Sequence, residues 1–122
     1  MNYLAVLVGG GVGALVRYLV SVFIQKFVPN FPLGTMVINT TGAFLIGFLS
    51  IYLAEVIDAP PNIRLLLITG FLGGYTTFST FTLEGIGLIN NGDYLKAFYY
   101  IVGTNVIGFL LVALGRFLGG LL

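Results

Sequence analysis

Nine formal charges in 122 residues leave the chain 7% charged and 58% hydrophobic, where a soluble domain carries roughly 25% charged residues; so few charges cannot coat a water-facing surface, and an ordinary soluble globule is excluded. The net charge of +1 comes without any basic run, which removes nucleic acid as a partner. With no Cys and no His, disulfides, thiolate nucleophiles, imidazole bases and the commonest metal ligand are all missing, so a bound metal would have to be held by oxygen.

At about 20 residues per helical span, the length predicts an all-α integral membrane protein: one domain, residues 1–122, of four transmembrane helices. The first span is expected over about 3–27, interrupted only by Arg17 and ending before Pro29-Asn30-Phe31-Pro32. Met1-Asn2-Tyr3 lacks the basic residues of a signal peptide, and the apolar stretch after it is too long for one, so it reads as a retained span. The second is expected over 33–54, closing at Pro60-Pro61, where a helix cannot continue. The third covers 64–89 and ends at the turn Asn90-Asn91-Gly92-Asp93; the fourth covers 94–118. Barrel strands would alternate over about ten residues, and these runs do not.

Four spans put both termini and the middle loop on one side, with Arg64 and Arg116, and the other two loops opposite, with Lys26 and Lys96. Orientation follows the excess of Lys and Arg, and two against two is a tie. Two readings stand. Either the chain inserts both ways and pairs with an inverted copy of itself, or other signals select one topology. The 18 glycines are about twice the usual ~7% share. Pairs four apart (Gly9/Gly13, Gly10/Ala14, Gly70/Gly74, Gly115/Gly119) suit close helix packing in lipid.

The third span concentrates polar chemistry. Gly73-Gly74 weakens the helix near its middle, and Thr76, Thr77, Ser79, Thr80 and Thr82 follow. A discontinuous helix would free carbonyls as ligands for a hard cation such as Na⁺; an intact helix with hydroxyls bonded back one turn is the alternative. Beyond it, Phe78 and Phe81 share a face, beside a stripe of Thr77, Thr80 and Glu84. Phenyl edges carry the positive part of the ring quadrupole, so rings beside hydroxyl donors suit a small anion; packing is the plainer role for such a pair. Asn39 in the second span offers an amide either to an anion or to a neighbouring helix. Tyr100 and Thr104 lie one turn apart in the fourth span, with Gly108 extending that face. Arg17 lies about ten residues, roughly 15 Å, from the end of its span, too deep for snorkelling; it should face a watery vestibule or pair with a carbonyl or carboxylate.

Three stretches, GGGVGALVRY at 9–18, GTMVINTTGAFLIG at 34–47 and above all GFLGGYTTFSTFTLE at 70–84, resemble the Fluc (CrcB) family of fluoride channels. The resemblance implies an antiparallel, dual-topology homodimer in the cell inner or plasma membrane, with two pores and one central Na⁺ that is not transported. By motif, the carbonyls of Gly73 and Thr76 from both copies would hold the ion in a near-tetrahedral cage of four oxygens. Phe78 and Phe81 would line the fluoride path, with Asn39 as a donor near them and Ser79, Thr80, Tyr100 and Thr104 along a polar track; Gly108 offers no hydroxyl where that track would continue. The implied function is passive, selective fluoride efflux, which lowers fluoride accumulated in the cytoplasm as HF. Two other readings compete. A small proton-coupled multidrug exporter needs an embedded carboxylate, for which Glu84 is the candidate, and an assembly factor would use its polar residues only as glue. An enzyme is not expected, since no two carboxylates share a helical face.

Overall fold

The computed structural model describes residues Asn2 to Leu122. Helix α1 (Asn2–Gln25) and helix α2 (Leu33–Ile51) come first, and α2 runs on into a wider π-helical turn at Tyr52–Val56. The next stretch is a chain of short pieces: α3 (Pro61–Arg64), a π-helical segment (Leu65–Leu72), the single turn α4 (Gly73–Tyr75) and α5 (Phe78–Asn90). Helix α6 (Tyr94–Leu121) closes the chain. Asn2–Gln25, Leu33–Val56 and Tyr94–Leu121 are each long and apolar enough to cross a membrane as single helices. The stretch expected as the third span is instead a succession of shorter helices, interrupted at Thr76 and Thr77.

The connections follow from their residues. Gln25 ties down the first loop: its Nε2 donates to the carbonyls of Val28 (2.6 Å) and Phe31 (2.8 Å), while its Oε1 accepts from the Gly34 N–H (3.4 Å). The second connection turns at Asp58, whose φ of 46° lies in the left-handed region that a short polar side chain tolerates. Pro61 then opens α3 at a position where a missing N–H costs nothing. Gly92, with φ 80°, supplies the last turn.

Two helix pairs carry the packing, both by direct backbone contact. Against α1, a Cβ on Gly9 would collide with the Leu66 carbonyl, one on Gly13 with the Phe71 carbonyl, and one on Gly74 with the Gly10 carbonyl. Between α2 and α6, a Cβ on Gly47 would meet the Val112 carbonyl and one on Gly115 the Phe44 carbonyl, with Gly119 against Phe48. The spaced glycine pairs thus act within the chain, where small residues let helices approach without a hydrophobic driving force. The buried core is small, Ile38, Leu72 and Tyr75 flanked by Val16, Val20, Leu45, Leu49 and Phe71. Large apolar side chains on the outside, such as Phe23, Phe109 and Phe117, face the solvent that the composition demands, which is lipid.

Candidate functional site

The interruption after α4 is built by three side chains. Thr76 (φ −86°, ψ 156°) and Thr77 (φ −148°, ψ 118°) are extended, a conformation that β-branched residues favour. Thr77 caps the resumed helix: its Oγ1 accepts the Thr80 N–H at 3.2 Å. Across from it, Asn39 of α2 clasps the Thr77 backbone twice. Its Nδ2 donates to the Thr77 carbonyl at 2.9 Å and its Oδ1 accepts the Thr77 N–H at 2.8 Å. Gly42, one turn below Asn39, leaves the room this approach needs, because a Cβ there would strike Thr76 Cγ2.

These bonds have a consequence for two carbonyls. In an unbroken α-helix the Thr77 N–H would bond the Gly73 carbonyl and the Thr80 N–H the Thr76 carbonyl. Asn39 and the Thr77 hydroxyl divert both donors, so Gly73 and Thr76 keep acceptor capacity. Both residues line one cavity of about 420 Å³, together with Gly42, Ala43 and Val112, and the space beside Gly73 is open. Among the described residues no group of three His, Cys, Asp or Glu is placed to hold a metal. Neutral carbonyl oxygens are the donor set present, and they suit a hard monovalent cation rather than a soft transition metal.

Above the break, the rings form a connected row. Phe78 is 77% exposed and Phe81 only 7%; their centroids lie 6.1 Å apart, Phe81 lies 5.0 Å from Tyr100, and Tyr100 meets Phe31 edge-on at 5.7 Å. A cavity of about 220 Å³ opens between Asn39, Thr77, Phe78, Phe81 and Thr104. Thr104 Oγ1 is buried and has no hydrogen-bond partner among the described residues. Several intramembrane hydroxyls bond back to a carbonyl one turn earlier, as Thr40, Thr41 and Thr76 do. Among the described residues the Thr104 hydroxyl has no partner, and the Asn39 amide has a second Nδ2 hydrogen beyond the one given to the Thr77 carbonyl.

The remaining candidates divide between two openings. Glu84 lines a cavity of about 480 Å³ near Asn30, Asp93 and Lys96, and its Oε1 accepts the Tyr100 hydroxyl at 3.1 Å. Arg17 lines a different one, of about 250 Å³, with Ser21, Thr35, Thr77 and Thr80, and its buried Nε has no partner among the described residues. Arg17, from α1, and Glu84, from the middle of α5, thus open onto separate cavities. Thr77 does not join Thr80 and Glu84 on a helical stripe; it lies outside the helix, with its hydroxyl used as a cap. Ser79 is exposed, and its carbonyl accepts the Thr82 hydroxyl. Residue-level reading missed the Gln25 clasp and missed Asn105, which lines the ring cavity from α6; an amide deep in an apolar span was the available signal.

Residues 4–116 match the profile of CrcB-like protein, Camphor Resistance (CrcB). The chain belongs to the CrcB family. A protein of Hydrogenobaculum sp. (strain Y04AAS1) is 98% identical over 122 residues, covering all of both chains. A protein of Aquifex aeolicus (strain VF5) is 46% identical over 116 residues and one of Rhizobium meliloti (strain 1021) 43% identical over 117, each covering 94% of both chains. All three carry the name fluoride-specific ion channel FluC, a channel and not an enzyme. This CrcB protein is a multi-pass integral membrane protein of the cell membrane, and the family match takes in the Asn39 clasp, the interruption, the ring row and Thr104.

Proposed function

We propose that this CrcB protein is a fluoride-selective ion channel, working as an antiparallel homodimer whose third span is the interrupted stretch from Pro61 to Asn90. The observation that carries the reading is the cavity between Phe78, Phe81, Asn39 and Thr104, lined by neutral donors and two rings, where the buried Thr104 hydroxyl has no partner among the described residues. The names of the relatives support the same ion. Fluoride is small and strongly hydrated, so a pore must replace its water with several donors, yet a fixed positive charge would trap it. The Asn39 amide, the Thr104 hydroxyl and the positive ring edges of Phe78 and Phe81 meet both demands. Thr80 and Tyr100 extend the polar row on either side, with Ser79 at the exposed start of α5, and Arg17 and Glu84 belong to its two mouths. Flux is passive and runs outward when HF has entered the cell and ionised there.

The carbonyls of Gly73 and Thr76 would hold a structural Na⁺: the N–H groups they would meet in an unbroken helix are diverted, and both residues line one cavity. Each chain offers two such oxygens, so a second copy is needed to complete a cation's shell. When bound, the ion supplies fixed positive potential at the dimer centre. The test is efflux from liposomes: fluoride leaves rapidly and chloride does not, no proton gradient is needed, Phe81→Ile slows the flux, and omission of internal Na⁺ abolishes it. Flux that demands a proton gradient would instead support the multidrug exporter, and no flux at all the assembly factor.

A further inference from the structure

On α6, Tyr100, Thr104 and Gly108 follow one another at four-residue steps on one face. Tyr100 and Thr104 bring hydroxyls to it; Gly108 brings no side chain. The space there is open, since a Cβ built on Gly108 would meet no atom within 4 Å. Beside this gap stands Asn105. It lines the ring cavity with Phe78, Phe81 and Thr104, and it also lines the adjoining cavity, of about 220 Å³, bounded by Ala43, Gly108 and Val112. Thr104 is the other α6 residue common to both walls, and it has the buried, unpartnered hydroxyl.

The Asn105 amide is held but not used up. Nδ2 donates to the Ile101 carbonyl one turn back at 2.7 Å, and a primary amide has two donor hydrogens. One N–H remains, on a group whose direction the Ile101 bond has set. An amide deep in an apolar span is costly unless something pairs with it. A role as glue between helices is the competing use, but among the described residues Asn105 bonds only its own helix, and its side chain is exposed in the single chain.

We propose that Asn105 is an anion-positioning residue: beyond Thr104, where Gly108 has no hydroxyl, its second amide hydrogen carries fluoride from the ring cavity into the adjoining one. The proposal rests on the fluoride-channel reading. It predicts that Asn105→Leu slows fluoride efflux from liposomes about tenfold or more, as expected for losing one hydrogen bond to an ion, with the dimer still intact by cross-linking. Gly108→Ser, placed in the Asn105→Leu background, should restore most of that rate, because a serine there has room and returns a hydroxyl to the same wall. Unchanged flux in Asn105→Leu overturns the proposal. So does a loss accompanied by dissociation of the dimer, which would make Asn105 a packing residue, and so does a loss with the dimer intact that Gly108→Ser leaves unrepaired. Absence of fluoride flux in the unsubstituted protein is a separate result, and would overturn the channel reading together with the proposal.

Discussion

Asn39 and Thr77 meet through two hydrogen bonds across 38 positions of sequence, and that pair determines the path of the chain at mid-span. Breaking it leaves a buried N–H and a carbonyl unpaired, at about 1–3 kcal/mol for each. Asn39→Leu should therefore lower thermal stability in detergent and, by releasing the backbone at Thr77 that keeps the helix interrupted, weaken the dependence of flux on Na⁺. Asn39→Asp keeps the acceptor for the Thr77 N–H but turns an oxygen toward the Thr77 carbonyl, so it should also be destabilised. A variant Asn39→Leu with unaltered melting and unaltered Na⁺ dependence would contradict the clasp. From sequence, Asn39 stands out as an intramembrane amide with two open uses. Its partner is not legible, because the recipient is a backbone group, and any residue at 77 would offer one.

Among the elements, close approach is decided glycine by glycine. Gly13 and Gly47 sit where an added methyl would run into a facing carbonyl of Phe71 or Val112, and backbone cannot move aside as a flexible side chain can. Overpacking of this kind costs about 1–3 kcal/mol, so Gly13→Ala and Gly47→Ala should each lower the melting temperature and the yield of assembled protein. Gly11 and Gly87 have open space at the same position. Gly11→Ala and Gly87→Ala should be neutral or slightly stabilising, since alanine is the better helix former by about 1 kcal/mol. Equal effects from both sets would refute the packing. Sequence spacing finds the pairs Gly9/Gly13 and Gly70/Gly74 but does not say which helix each touches. The π-helical stretch Leu65–Leu72 was not legible at all: it is a widened turn lying against α1, and local propensity carries no term for a partner.

For the whole molecule, the even division of Lys26 and Lys96 against Arg64 and Arg116 bears on insertion. If copies enter the membrane both ways, removing the tie should remove the homodimer. Lys26→Gln combined with Lys96→Gln should orient every chain alike and abolish fluoride flux, and co-expression with an Arg64→Gln, Arg116→Gln partner should bring it back. Flux that survives the first pair unchanged would show that orientation does not depend on this balance.

Composition by itself determined the solvent of this protein, because nine charges cannot cover 122 residues in water, and hydropathy placed the three long helices, because a single span must be apolar for its whole length. The motif around Gly73 to Glu84 pointed to the family. Only the tertiary structure decided what the polar residues do. Asn39 holds the Thr77 backbone, Thr104 keeps a free hydroxyl, and Glu84 and Arg17 open onto separate cavities. Hydrogen bonds join groups that are far apart in sequence, and which of them meet depends on the depth and rotation of packed helices. The scarce charges named the solvent; the packing of glycine against backbone positioned the neutral groups that an ion would meet.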